Sequence, residues 1–142
     1  MSLDYLKMGL IRSGYTHLTV EQDDELTALM WPIVREMIKT AIENEQHMVI
    51  EGCYLPFDWR KDFGEEYLPH IRFVCLVMTE EYLRKHFSDL HHYASVVENR
   101  EEEPALDLTE LIRDHASNLA KCREHGCEVI LIDGEYQVEL AN

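Results

Sequence analysis

Positive charge is scarce in this 142-residue sequence: 13 lysines and arginines stand against 28 aspartates and glutamates, for a formal net charge of −15. A chain so acidic repels phosphate backbones and anionic lipid surfaces, which argues against nucleic-acid and membrane-surface partners. The four cysteines, Cys53, Cys75, Cys122 and Cys127, fall in no C-x-x-C pair and read as reduced thiols. Cys75 lies in an apolar run, where a thiol serves as a small hydrophobe. No apolar run approaches the ~20 residues that span a bilayer, and the acidic, polar start is unlike a signal peptide. These absences predict a soluble, cytoplasmic protein. There is also no internal repeat and no long linker. With 46% hydrophobic residues the chain has enough to build one core, and a single domain over residues 1–142 is expected.

The strongest periodic stretch is VEQDDELTALMWPIVREMIKTAIENEQ. Here Leu26, Leu29, Met30, Ile33, Val34, Met37, Ile38, Ala41 and Ile42 recur by threes and fours, the mark of one wide apolar helix face. Thr19 with Gln22 has the spacing of a capping box, and Asp23 and Asp24 suit the positive end of the helix dipole. Pro32 inside the pattern predicts a kink or restart. Three short apolar runs, at about 47–51, 71–78 and 127–133, lack polar alternation and read as strands of a parallel sheet covered on both faces. Thr79 is placed to cap a helix through Leu83 and Phe87. Asp107 with Glu110 is placed to cap another, with Gly126 as its stop. The fold class expected is α/β, a three-layer parallel sheet with flanking helices.

The segment GLIRSGYT, Gly9 to Thr16, is one residue short of a G-x-x-x-x-G-K-[ST] phosphate loop, with Tyr15 where the lysine belongs. A phosphate loop needs a buried strand before its first glycine and a helix opening at its lysine. Leu3, Leu6 and Leu10 instead have helical spacing, so the segment is expected to be a helix end followed by a turn at Gly14.

Taken in order, VIEGCYLP at 49–56, VCLVMTEEYLRKHF at 74–87 and VILID at 129–133 resemble the later two-thirds of a small P-loop kinase of the adenylate-kinase-like group. LDYLKMGLIRSG resembles the stretch after that family's second strand, where an aspartate and basic residues line the acceptor site. The resemblance implies a P-loop kinase-like fold incomplete at its N-terminus, since the phosphate loop is missing. It implies ATP and Mg2+ as cofactors of the full family and a small-molecule or nucleotide acceptor as substrate. Little kinase activity and no tight ATP binding are expected of these 142 residues. The competing expectation is a non-catalytic remnant or interaction protein working through self-association. A missing strand–helix–strand unit of ~30 residues would leave bare sheet edges, and a homodimer is expected to cover them.

Within that resemblance Glu51 is placed to hold magnesium or orient the acceptor hydroxyl, and Gly52 to allow close ligand approach. The plainer reading of Glu51 is a strand-end carboxylate in solvent. Asp4 is a second candidate acid for the acceptor hydroxyl, with Lys7 and Arg12 as cations for an anionic group on the acceptor. Tyr54 and Arg60, in the aromatic segment CYLPFDWRKDF, are candidate walls of the acceptor pocket, against the simpler view that the aromatics pack the loop. Arg84, Lys85 and Arg100 are lid candidates in a lid-like region of about 80–104. The simpler reading, which is favoured, is a solvated helix face paired with Glu80, Glu81 and Glu101. The groupings His86, His91, His92 and Cys122, His125, Cys127 lack zinc-site spacing, and no metal is assigned to them.

Overall fold

A computed structural model of the protein describes residues 1–93 and 107–136, and its helices lie where apolar residues recur at threes and fours. Four α-helices lie among the described residues: α1 (Leu3–Arg12), α2 (Asp23–Glu43), α3 (Glu80–Tyr93) and α4 (Leu108–His125), with strands β1 (Val74–Met78) and β2 (Glu128–Ile132). The fold is thus mixed α/β with a two-stranded parallel sheet among the described residues. The chain divides into two compact units, Met1–Arg72 and Phe73–Asn142. No helix among the described residues is long and apolar enough to cross a membrane.

The first unit is built on α1 and α2. Leu3, Leu26, Met30, Val34 and Tyr54 form its buried core, with Leu6, Leu10, Ile38 and Ile50 packed around them. Gly9 lies inside α1, and the chain turns at Gly14, where φ is +73°. GLIRSGYT is therefore a helix end, as its leucine spacing indicated. α2 continues through Pro32 without a restart. The capping box closes one turn early: Gln22 Oε1 accepts from the Thr19 amide at 2.9 Å, and the helix begins only at Asp23. After α2 the loop is fastened by aromatics. Phe63 meets Trp31, Trp59 and Tyr67 edge-on at centroid distances of 6.0, 5.9 and 6.4 Å, and Trp31 Nε1 donates to Asp62 Oδ2 at 2.8 Å.

The strand expected at 47–51 is not a sheet strand. It is extended chain with one parallel bridge, Ser2 to Glu51. His47, Met48 and Val49 are exposed, so the apolar run is not covered on both faces. A continuous apolar run signals low polarity rather than coverage, and such a segment is a central strand only if strands stand on both sides of it. The three-layer sheet is therefore reduced, among the described residues, to one strand pair. The other two strands are shorter than expected for a local reason. Val74 pairs with Glu128 just past the turn at Gly126, and Met78 pairs with Ile132 just before α3 begins.

In the second unit the caps fall where the sequence puts them. Thr79 Oγ1 accepts from the Tyr82 amide at 3.2 Å, Asp107 Oδ1 accepts from the Glu110 amide at 2.9 Å, and Gly126 ends α4 with φ +64°. The Thr79 amide donates to Ile132 O at 3.0 Å. Alternate residues of a parallel strand face the partner, so Met78 faces away from β2. Its outward amide donates to His115 Nδ1 of α4 at 3.1 Å, which requires that nitrogen to be unprotonated. Burial lowers the His115 pKa from its ordinary 6.5, with the Asp114 charge opposing. A depressed histidine pKa means that the unfolded chain takes up the proton first as pH falls. The bond thus contributes its full stability above pH 6.5, and the contribution declines as pH falls from there through the lower folded value. In urea titrations between pH 7.5 and 5, wild type should lose stability relative to His115→Asn, which keeps an acceptor near the Nδ1 position but does not titrate. Parallel pH profiles for the two proteins would remove His115 from this role.

Candidate functional site

One polar cluster in the first unit joins residues from three separate stretches of chain, and backbone pairing puts them together. The Glu51 amide donates to Met1 O at 3.0 Å and the Leu3 amide to Glu51 O at 2.9 Å, while the terminal amine donates to Val49 O at 2.5 Å. This short parallel ladder lays the start of α1 along residues 49–51. Leu3, fully buried, then sits against Gly52. A Cβ built on Gly52 would meet Leu3 Cβ at 2.9 Å, and Gly52 has φ +145°. Two independent constraints thus select glycine: a backbone region that side chains rarely adopt, and space already taken by Leu3.

One turn further along α1, Asp4 and Lys7 share a face, as residues three apart on a helix do. Lys7 Nζ donates to Asp4 Oδ1 at 2.6 Å and to the Tyr54 hydroxyl at 3.0 Å. Tyr54 is buried, and its chain neighbour Cys53 lies near enough for the two groups to influence each other's ionisation. The result is a chain of groups, Asp4, Lys7 and Tyr54, with Cys53 beside it and Asp23 of α2 close enough to act on Cys53 and Tyr54 through its charge. Burial is the largest influence on Lys7 and disfavours its charge, but the hydrogen bonds to Asp4 and Tyr54 with their charges outweigh it, so the Lys7 pKa lies above its ordinary value. Burial pushes Tyr54 up to about 12, against the Lys7 hydrogen bond. It also pushes the Cys53 thiol up, against the influence of Tyr54. At neutral pH Lys7 is therefore a cation, Tyr54 a neutral phenol and Cys53 a protonated thiol. Two of the three Lys7 protons are committed to these hydrogen bonds.

Of the residues singled out in the sequence, Asp4, Lys7, Tyr54, Gly52 and Glu51 come together here. Glu51 is exposed, and its carboxylate has no hydrogen-bond or ion-pair partner among the described residues. The close approach allowed by Gly52 is used by Leu3. Arg12 lies in the last turn of α1, exposed, where it complements the helix dipole; eight residues beyond Asp4, it is about 12 Å along the axis. Arg60 stacks its guanidinium on Trp59 at 4.8 Å from the ring centroid, part of the aromatic fastening of the loop. In the second unit Arg84 is paired with Glu80 Oε1 through Nη2 at 2.7 Å and Nε at 2.9 Å, the local pairing that its spacing indicated. Lys85 is exposed on the same helix. Arg100 lies outside the described residues. Cys53 and Asp23 went unnoticed as members of the cluster. Asp23 carries a complete explanation as a helix-dipole acid, and no local pattern shows that the first turn of α2 comes near residues 53 and 54.

Comparison of the chain with protein-family models, with curated proteins and with solved structures finds no match in any of the three.

The geometry of Gly52 makes its structural role testable apart from any ligand. Gly52→Ala should lower unfolding free energy by about 1–3 kcal/mol, the scale of a side chain forced into a disfavoured backbone region. Unchanged stability in a urea melt would return Gly52 to a role in ligand approach alone.

Proposed function

We propose that this is a P-loop kinase-like α/β protein whose first unit carries an acceptor site for a small hydroxyl-bearing molecule or nucleotide, formed by Asp4, Lys7, Tyr54 and Glu51. In this reading these residues bind the acceptor, and no phosphoryl transfer occurs from them alone. The supporting observation is the convergence of Asp4, Lys7 and Tyr54 from residues 4, 7 and 54 into one hydrogen-bonded chain, beside an exposed acid at Glu51. Asp4 accepts a hydroxyl proton through its remaining lone pairs, and the third Lys7 proton meets a ligand oxygen. Glu51 carries an uncommitted carboxylate for a cation or second hydroxyl. ATP and Mg2+ belong to the reading as cofactors of the wider family. Here Gly9 and Gly14 belong to a helix and its turn rather than to a phosphate cradle.

Isothermal titration with Mg-ATP should detect no binding tighter than the millimolar range, whereas a micromolar dissociation constant would overturn the claim that these residues hold no triphosphate. A ligand-observed NMR screen of small polyols, nucleosides and phosphate esters should give hits whose affinity falls at least ~10-fold in Lys7→Met and Asp4→Asn, the scale of one charge-assisted hydrogen bond. Hits indifferent to both substitutions would place binding elsewhere.

A second reading, self-association as a homodimer, is supported by bare strand edges. The outward backbone groups of Val74 and Leu76, of Val129 and Leu131, and of Met48 and Ile50 have no backbone partner among the described residues. Val49 at 77% and Leu131 at 49% exposure put apolar side chains beside them, and open edges of this kind recruit further strands. Light scattering should give twice the monomer mass at micromolar concentration, with a urea midpoint that climbs with protein concentration. A monomer with a fixed midpoint would end this reading.

A further inference from the structure

The outward edge of β1 is closed at one end and open along the rest. Its outward backbone groups belong to Val74, Leu76 and Met78. Those of Val74 and Leu76 have no backbone partner among the described residues, whereas the Met78 amide donates to His115 Nδ1 at 3.1 Å. A histidine reaching over from α4 thus occupies the donor that an added strand needs at that end. Leu76, in the middle of the edge, is 42% exposed. If two copies of this edge lie antiparallel across a two-fold axis, Leu76 meets its own counterpart and Val74 of each copy meets Met78 of the other. Each Met78 amide then donates to a Val74 carbonyl, a bond that cannot form while His115 holds the amide.

We propose that His115 is a pH-gated cap on the β1 edge: unprotonated, it seals the Met78 amide against strand addition, and protonated, it opens the edge to a second copy of the chain. This rests on the self-association reading and gives that association an edge and a control. An imidazolium carries a hydrogen on both ring nitrogens, so Nδ1 turns from acceptor to donor and the bond to the amide is lost. Association at this edge and protonation of His115 therefore favour each other. Burial holds the His115 pKa below its ordinary 6.5, which keeps the cap closed at neutral pH, and Asp114 on the same helix favours the protonated ring. Of the elements packed against α4, β1 brings the Cys75 thiol, held neutral by burial. β2 brings Glu128, level with Val74 and about 13 Å along the strand from Met78. On α3, Arg84 is paired with Glu80 at 2.7 Å and His86 with Asp89 at 3.3 Å, while Glu81 and Lys85 are set on its surface. A second copy is also the occupant that acid admits. The net charge of −15 holds copies apart at neutral pH, and protonation of the eight histidines weakens that repulsion.

Sedimentation equilibrium of the full chain at pH 7.5 and pH 5 tests the gate. His115→Asn keeps an acceptor that does not titrate, so its response measures the general loss of repulsion. The wild-type dimer dissociation constant should fall about 10-fold further than that of His115→Asn, the scale of one hydrogen bond freed on each copy. His115→Ala, with circular dichroism as a folding check, should associate more tightly than wild type already at pH 7.5. Leu76→Lys sets two like charges opposite each other and should abolish the acid-induced gain. In that monomeric variant, NMR should show the Met78 amide losing its hydrogen-exchange protection as His115 protonates; protection unchanged across the titration would overturn the cap. Equal pH responses in wild type and His115→Asn would overturn the gate and leave self-association standing. Wild type and His115→Ala both monomeric at both pH values would overturn the β1 edge as a docking surface, and the gate with it.

Discussion

Leu3 holds the first unit together. Fully buried, it is the point where the first turn of α1, the extended residues 49–51 and the core face of α2 meet. Burying a leucine is worth about 2 kcal/mol, but its larger effect is positional. Because the space above residue 52 is taken up by Leu3, α1 has one rotation and one register against Val49–Glu51. That register sets Lys7 within reach of Tyr54, on a segment 47 positions away in the chain. Polar geometry here is a consequence of apolar packing: the hydrogen bonds of the cluster are aligned by a side chain that has none of its own.

Much of this was legible in the sequence, for reasons that can be separated. Helices α1, α2 and α4, the αL stop at Gly126 and the Asp107 and Thr79 caps depend on neighbours within four residues, and local patterns report them. Residues 47–51 were misjudged because a strand is defined by its partners, and an apolar run carries no record of whether partners exist. The roles of Arg60 and Arg84 turned on distances that spacing fixes only in part. Arg84 to Glu80 is a four-residue helical contact and was foreseeable; Arg60 on Trp59 depends on a 3-10 turn at Trp59–Asp62 with no strong local signal. Asp4, Lys7, Glu51 and Tyr54 were each named from type and context, but their meeting was not, since it runs through the Leu3–Gly52 contact. Cys53 and Asp23 join by the same route.

The cluster also shows how an acidic molecule keeps a working cation. With a net charge of −15, every lysine sits in a field that favours its protonated form. Lys7 is in addition partly buried, with a side-chain exposure of 14%, and desolvation opposes that field. The balance is struck locally by Asp4 and Tyr54 rather than by the molecule as a whole. Lys7 is a fixed positive point between Asp4 and the Tyr54 hydroxyl.

The parallel pairing of β1 with β2 carries a consequence for the newborn chain. Val74 has to find Glu128, so roughly fifty residues and two helices must be made before the first ladder bond closes, and closing so long a loop is entropically slow. A ribosome adding ~5–20 residues per second leaves Val74–Met78 outside the exit tunnel for several seconds as an apolar ribbon with both edges bare. Helix α3, which forms from local contacts in microseconds, is made well before the sheet can close, whereas α4 ends at His125, only three residues before β2. During synthesis the second unit is thus an amphipathic helix beside a waiting strand, and its exposure to aggregation is set by how quickly the last turn of α4 delivers β2.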